Sequence, residues 1–131
     1  MTALVDANVL IRHLTGDPPQ QASRATRFLE QAEQLLLPDL ILAEVAYVLE
    51  SYYEVARHQV AEALRAILAF RAIRVVDAAL LHRAVELYDV HRLDFADAYL
   101  VATAERTGIG VVASFDRGLD RVGTIRREEP A

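Results

Sequence analysis

Short apolar runs alternate along this chain with longer segments of helical period. Residues 3–6 read as a strand, followed by an amphipathic segment over 8–14. Gly16-Asp17-Pro18-Pro19 marks a turn. Residues 20–34 place Ala25, Phe28, Leu29 and Ala32 on one side of a polar-faced helix, and Leu35-Leu36-Leu37 makes a short buried strand stopped by Pro38. Residues 39–53 are apolar almost all round, which predicts a deeply buried helix. The stripe Val60, Leu64, Ile67, Leu68 predicts a helix over 59–70. A strand is expected over 73–76, with Asp77 capping a helix that runs to about Tyr88. A further helix is expected over 94–107, ended by Gly108 in the left-handed conformation. Residues 109–113 read as a strand, and Thr124-Ile125 as a last edge strand. No repeat or linker interrupts the series.

This alternation predicts the α/β class, with a mainly parallel sheet covered by helices on both faces. In such folds sites form beyond the carboxyl ends of the strands. At 131 residues a single domain over 1–131 is expected, and 53% hydrophobic residues argue against disorder. Uncharged stretches fall short of the roughly 18–20 apolar residues of a membrane span, and the N-terminus lacks a basic region ahead of its first apolar run. A cytoplasmic protein is the expectation. The absence of cysteine excludes disulfides, thiolate metal sites and cysteine nucleophiles. A net charge of −5 speaks against a simple nucleic-acid-coating protein. All 14 basic residues are Arg, a side chain suited to phosphate, although the codons of a GC-rich genome produce the same bias.

Four carboxylates carry the candidate chemistry. Asp6 closes Ala3-Leu4-Val5-Asp6, and Asp116 follows Val111-Val112-Ala113-Ser114-Phe115. Glu44 is the only charge between Leu40 and Leu49, and Asp97 opens Asp97-Ala98-Tyr99-Leu100-Val101-Ala102. An ionised carboxylate removed from water needs a cation or several donors. Four such positions in a small chain point to one shared cation site at the rim of a sheet, and so to metal-assisted hydrolysis. Each acid also has a plainer reading. Asp6 can cap a helix. Asp94 as N-cap with Asp97 three positions on resembles a capping box at the positive end of a helix dipole. Asp116 can be a turn residue ahead of Gly118. Glu44 has only apolar neighbours at helical spacing, with no solvated face through it. Asn8 adds an amide able to orient Asp6 or a water. Other chemistries lack their residues: no zinc-type His spacing, no G-x-S-x-G elbow, no dinucleotide fingerprint and no phosphate loop.

Leu4-Val5-Asp6-Ala7-Asn8-Val9-Leu10, Glu44 near one-third of the chain, Phe95-Ala96-Asp97-Ala98 and Ser114-Phe115-Asp116 together resemble the PIN-domain family, and within it toxins of the VapC type. The resemblance covers essentially the whole chain. It implies a three-layer α/β/α sandwich and a Mg²⁺- or Mn²⁺-dependent endoribonuclease. By position Asp6, Glu44 and Asp97 match the family's three core acids and Asp116 its more variable fourth. Asn8 and Ser114 fall where the family often has a small polar residue, while Asp94 has a less certain counterpart. The resemblance also implies an RNA substrate, a homodimer and a groove for the tail of a cognate antitoxin, whose Arg side chains, as carboxylate-matched forks, are suited to compete with metal for the acidic pocket.

Two rival functions stand beside this one. A phosphoryl-transfer protein shares acids at strand ends and Mg²⁺, but uses a Lys that this chain lacks. A non-catalytic acidic module would bind an Arg-rich partner without metal-dependent cleavage. Tyr52, Tyr53, Leu64 and Leu68 are more apolar surface than one small core is expected to absorb, which points to an interface, with ordinary core packing as the alternative.

Overall fold

The computed structural model describes residues 2–131. The chain divides into two compact units, Met1–Val76 and Asp77–Ala131.

The first unit is a parallel three-stranded ladder with four helices. β1 (Thr2–Leu4) pairs with β2 (Gln34–Leu36) and β2 with β3 (Ile73–Arg74), in the register Ala3 to Leu35 to Ile73. Parallel neighbours require long crossovers, and helices supply them. The first crossover holds α1 (Ala7–Thr15) and α2 (Pro19–Gln31), the second α3 (Asp39–Ser51) and α4 (Arg57–Leu68). Gly16 ends α1 at φ 71°, a left-handed conformation that a Cβ penalises, and Pro19 opens α2 where its missing N–H costs nothing. Core positions recur at helical spacing: Ala7, Leu10 and Ile11 on α1, Ala22, Ala25 and Leu29 on α2, Val60, Ala61, Leu64 and Ile67 on α4.

The second unit packs α5 (Ala78–Val90) against α6 (Phe95–Thr107) and adds a parallel pair, β4 (Val111–Ala113) with β5 (Arg126–Glu128). A short 3-10 helix, Arg117–Arg121, lies between those strands in the chain. Asp77 caps α5 by accepting the Leu80 N–H at 3.1 Å, as expected, and Gly108 ends α6 at φ 76°. The buried faces are Leu81, Ala84, Val85, Leu87 and Tyr88 on α5 and Phe95, Ala98, Val101 and Ala102 on α6.

The α/β class and parallel pairing match the sequence expectation, but two local readings do not hold and a third divides between its alternatives. Helix α3 is not buried all round: Leu42, Val45, Ala46 and Leu49 face the core, whereas Leu40, Glu44, Tyr47 and Ser51 form an exposed stripe. Leu64 is fully buried, so of the four residues expected in excess of the core it is Tyr52, 72% accessible, that stands out. The last strand begins at Arg126, beyond Thr124-Ile125. No described helix is long and apolar enough to cross a membrane.

Candidate active-site acids

In the first unit, Val5 extends the sheet by donating to the Leu36 carbonyl at 3.2 Å, and Asp6 is the next residue. Its backbone is extended (φ −88°, ψ 154°) and its Oδ1 accepts the Ala7 N–H at 2.8 Å. Asp6 is thus a helix cap, satisfying one of the orphan donors of α1. The residue is exposed, and no hydrogen bond is recorded to Oδ2. Capping and ligation are therefore compatible at this position. Asn8 is exposed in the first turn of α1.

Glu44 corrects a sequence expectation. It lies in the middle of α3 on the exposed stripe, flanked by Leu40 at 78% accessibility and Tyr47 at 69%. The apolar neighbours are real, yet they face solvent with it. Among the described residues no polar or charged residue is fully buried. The premise that burial forces a cation onto these acids fails for Asp6, Glu44 and Asp116, all exposed.

In the second unit partial burial and neighbouring acids act together on one carboxylate. Asp94 occupies the N-cap position of α6, with its carbonyl accepting the Ala98 N–H at 2.8 Å, but its side chain makes no capping hydrogen bond. The expected capping box does not form. Asp97, two positions into α6 and half-buried, is pushed above the usual carboxylate range. Desolvation is the largest cause, followed by a hydrogen bond with the Asp116 carboxyl, the charge of Asp116 and the charge of Asp94. All these influences disfavour the anion.

Asp116 is held by a local device. Its N–H donates to Ser114 Oγ at 2.9 Å, and its Oδ1 accepts the Gly118 N–H at 2.8 Å. Ser114 is itself anchored by donating its N–H to the Glu128 carbonyl at 3.0 Å. A Cβ at Gly118 would stand 3.0 Å from Asp116 Oδ1, so glycine permits the close approach of this backbone to the carboxylate. Asp116 is therefore the turn residue that its sequence allows, and also a member of an acid cluster. Gly118 is a positioning residue that motif reading passes over, although Asp-x-Gly after a strand is the signature of such a side-chain-to-backbone turn.

None of Asp6, Glu44, Asp94, Asp97 and Asp116 forms an ion pair among the described residues. Other acids of the second unit do: Glu105 with Arg83 at 2.8 Å, Asp77 with Arg106 at 2.8 Å, Asp120 with Arg127 at 3.0 Å. In donor chemistry the candidates of both units are alike: carboxylates, the amide of Asn8 and the hydroxyl of Ser114. Oxygen donors of this kind suit a hard divalent cation, and a cation at Asp97 would offset both the desolvation and the neighbouring acids that raise it.

The PIN domain family model matches residues 3–125, a span that contains all seven candidate side chains. Over 124 residues the chain is 27% identical to a VapC ribonuclease of Aquifex aeolicus, covering 92% of this chain and 91% of that one. Among solved structures it is similar to VapC20 of Mycobacterium tuberculosis, a Sarcin-Ricin loop cleaving toxin, at 22% identity and TM-score 0.44 over 96% of this chain and 99% of that one. It is also similar to VapBC2 of Rickettsia felis, solved bound to a DNA fragment from their promoter, at 13% identity and TM-score 0.40 over 98% of each chain.

Proposed function

This chain belongs to the PIN domain family, and from that premise we propose that it is a metal-dependent endoribonuclease, hydrolysing RNA phosphodiester bonds as the toxin of a toxin–antitoxin pair. The observation that carries the reading, beside family membership, is Asp97: half-buried in the first turn of α6, raised first by desolvation and then by Asp116 and Asp94, and without a cationic partner among the described residues. Likeness to the VapC ribonuclease of Aquifex aeolicus supports the choice of RNA.

Asp6, Glu44, Asp97 and Asp116 are the proposed metal ligands, with Asn8, Asp94 and Ser114 in support and Mg²⁺ or Mn²⁺ as the ion. Such an ion, when bound, supplies an acidified water and offsets charge that develops on the phosphate. The chain's own part is to hold oxygens ready. Helix α6 presents Asp97 from its first turn, and the Ser114–Asp116–Gly118 turn keeps Asp116 oriented through two hydrogen bonds. One Asp6 oxygen is committed to the head of α1, so its orientation is fixed by the cap. Protonated Asp97 cannot ligate a metal in full, so metal and proton compete for it, and cleavage should weaken as pH falls toward its raised pKa.

The proposed partners are RNA, a second copy of this chain and an antitoxin encoded nearby, in the cytoplasm. The exposed stripe of Leu40 and Tyr47, with Tyr52 beyond it, is apolar surface of the kind interfaces use. The test of the function is incubation of a total RNA pool with and without Mg²⁺ or Mn²⁺, with mapping of the cut ends. Discrete cuts that require metal and vanish in Asp6→Asn support the reading. An intact pool with both metals refutes it and leaves the non-catalytic acidic module in its place.

A further inference from the structure

Outside the acids, the first unit holds a groove whose chemistry is cationic. It has a volume of about 540 Å³ and lies between α1 and α2, lined by Asn8, Val9 and Arg12 on one helix and Gln21, Arg24 and Phe28 among those on the other. The spacing is that of two facing stripes: positions 8, 9 and 12 share a face of α1, and 21, 24 and 28 a face of α2. The two helices are tied at the next turn, where His13 Nδ1 and Thr26 Oγ1 share a hydrogen bond of 2.7 Å. The groove is therefore a built feature of the helix pair.

Its two guanidinium groups are unspent. Arg57, Arg83, Arg106 and Arg127 pair with acids, and Arg74 and Arg121 donate to backbone carbonyls. Arg12 and Arg24 form no ion pair or side-chain hydrogen bond among the described residues. In a chain of net charge −5, two free Arg side chains in one concavity mark an anion site. Phe28, 38% accessible, gives the same concavity an aromatic edge, and Asn8 and Gln21 give it amides able to read base edges. Cation, aromatic ring and amide together are the equipment for a single-stranded nucleic acid.

We propose that the α1–α2 groove is a single-stranded RNA subsite, with Arg12 and Arg24 holding consecutive backbone phosphates and Phe28 stacking on a base. This rests on the nuclease reading for the identity of the ligand. Position supports it: α1 starts directly after Asp6, so Arg12 stands about 9 Å along the helix from that acid. The stripe from Gln21 to Phe28 spans about 10 Å, room for about three stacked nucleotides at roughly 3.4 Å each. The groove would thus hold RNA along the helix that Asp6 caps, without presenting an acid of its own.

The test measures binding of a fluorescent pool of unstructured RNA 12-mers in millimolar Mg²⁺, on the Asp97→Asn background so that nothing is cut. Arg12→Gln with Arg24→Gln should raise Kd at least about tenfold and reduce the slope of log K against log salt by about 1.4, since each phosphate contact on a single strand contributes about 0.7. Phe28→Leu, which keeps an apolar side chain against the helix pair, should raise Kd by about fivefold or more. In chains with active acids the same changes should raise KM far more than they lower kcat. Unchanged Kd and salt slope in folded variants would overturn the subsite. So would a poly-glutamate peptide that binds as tightly as RNA with the same dependence on Arg12 and Arg24, which would reassign the groove to an acidic protein segment. RNA binding through these residues in a chain that cuts no RNA would uphold the subsite while removing the nuclease reading.

Discussion

Helix α6 carries two acids that meet opposite fates. At its head Asp97 is disfavoured as an anion first by desolvation and then by two other acids, Asp116 and Asp94. In its last turns Glu105 is clasped by Arg83, which donates Nε to Oε1 at 2.8 Å and Nη2 to Oε2 at 2.9 Å, and Thr124 adds a hydroxyl. Glu105 is accordingly held below the usual carboxylate range, first by the Arg83 hydrogen bonds and then, against opposing desolvation, by Thr124 and by the charges of Arg83 and His91. The same residue class on one helix thus serves two ends. A bidentate Arg–carboxylate pair stabilises the fold. A desolvated acid beside other acids works against it, which marks Asp97 as the candidate for function.

The sharpest way to break this contrast is to neutralise each acid at constant shape. Asp97→Asn is expected to lower RNA cleavage by about two to three orders of magnitude, a loss of several kcal/mol of charge stabilisation at the phosphate. Glu105→Gln is expected to stay within a few-fold of the parent in the same assay. Asp116→Asn should fall between them at about tenfold, because its turn survives through the Ser114 hydroxyl while one ligand oxygen loses charge. Equal losses in the Asp97 and Glu105 variants would erase the distinction.

Stability should move the other way. In metal-free buffer at neutral pH, Glu105→Gln should lower Tm by several degrees, since it leaves Arg83 with half its clasp. Asp97→Asn should raise Tm by a few degrees, since it removes a charge that desolvation first, and then Asp116 and Asp94, disfavour. Millimolar Mg²⁺ or Mn²⁺ should raise the Tm of the parent chain and leave that of Asp97→Asn nearly unchanged, as expected of a ligand bound only by the native state.

The pH dependence follows from the signs. Asp97 has a folded pKa above its unfolded one, so the native state takes up the proton first. Its contribution to stability is greatest below the ordinary Asp value of 3.8 and is lost as pH rises through the raised value. Glu105 and Asp77 are lowered, the first chiefly by Arg83 and the second by the Leu80 N–H and Arg106. Their contribution is present above the unfolded values and is lost as pH falls. Acidification should therefore destabilise the chain as a whole while closing the Tm gap between parent and Asp97→Asn below about pH 3.8. A gap that persists in acid would mean that the variant gains by packing, not by charge.

Much of this fold was legible because helical period and turn chemistry speak locally. Asp77, Gly16 and Gly108 end or begin helices for reasons carried by one residue each. Glu44 shows where local reading stops. Leu40 and Tyr47 look like core, but which apolar face of a helix is covered is decided by the elements packed against it, and α3 leaves that stripe open. The same limit applies to β5, whose Arg126-Arg127-Glu128 has no apolar pattern and is a strand because β4 pairs with it. The candidate acids are legible by position along the chain, whereas their burial is not: Asp6, Glu44 and Asp116 are exposed, and only at Asp97 does desolvation lead, with Asp116 and Asp94 adding to it. Arg12 and Arg24 were invisible as a pair, because nothing in the sequence says that two Arg side chains twelve positions apart line one groove.

The most direct test of the central claim, that the crowded acids are the working ones and the clasped acid is structural, is one side-by-side measurement. Cleavage of a total RNA pool is followed over time with parent, Asp97→Asn and Glu105→Gln chains, each with millimolar Mn²⁺ and again with EDTA. The account predicts metal-dependent cutting by the parent and by Glu105→Gln, and no cutting above background by Asp97→Asn although it melts at or above the parent's temperature. Full cleavage by Asp97→Asn, or cleavage by the parent that survives EDTA, would contradict it.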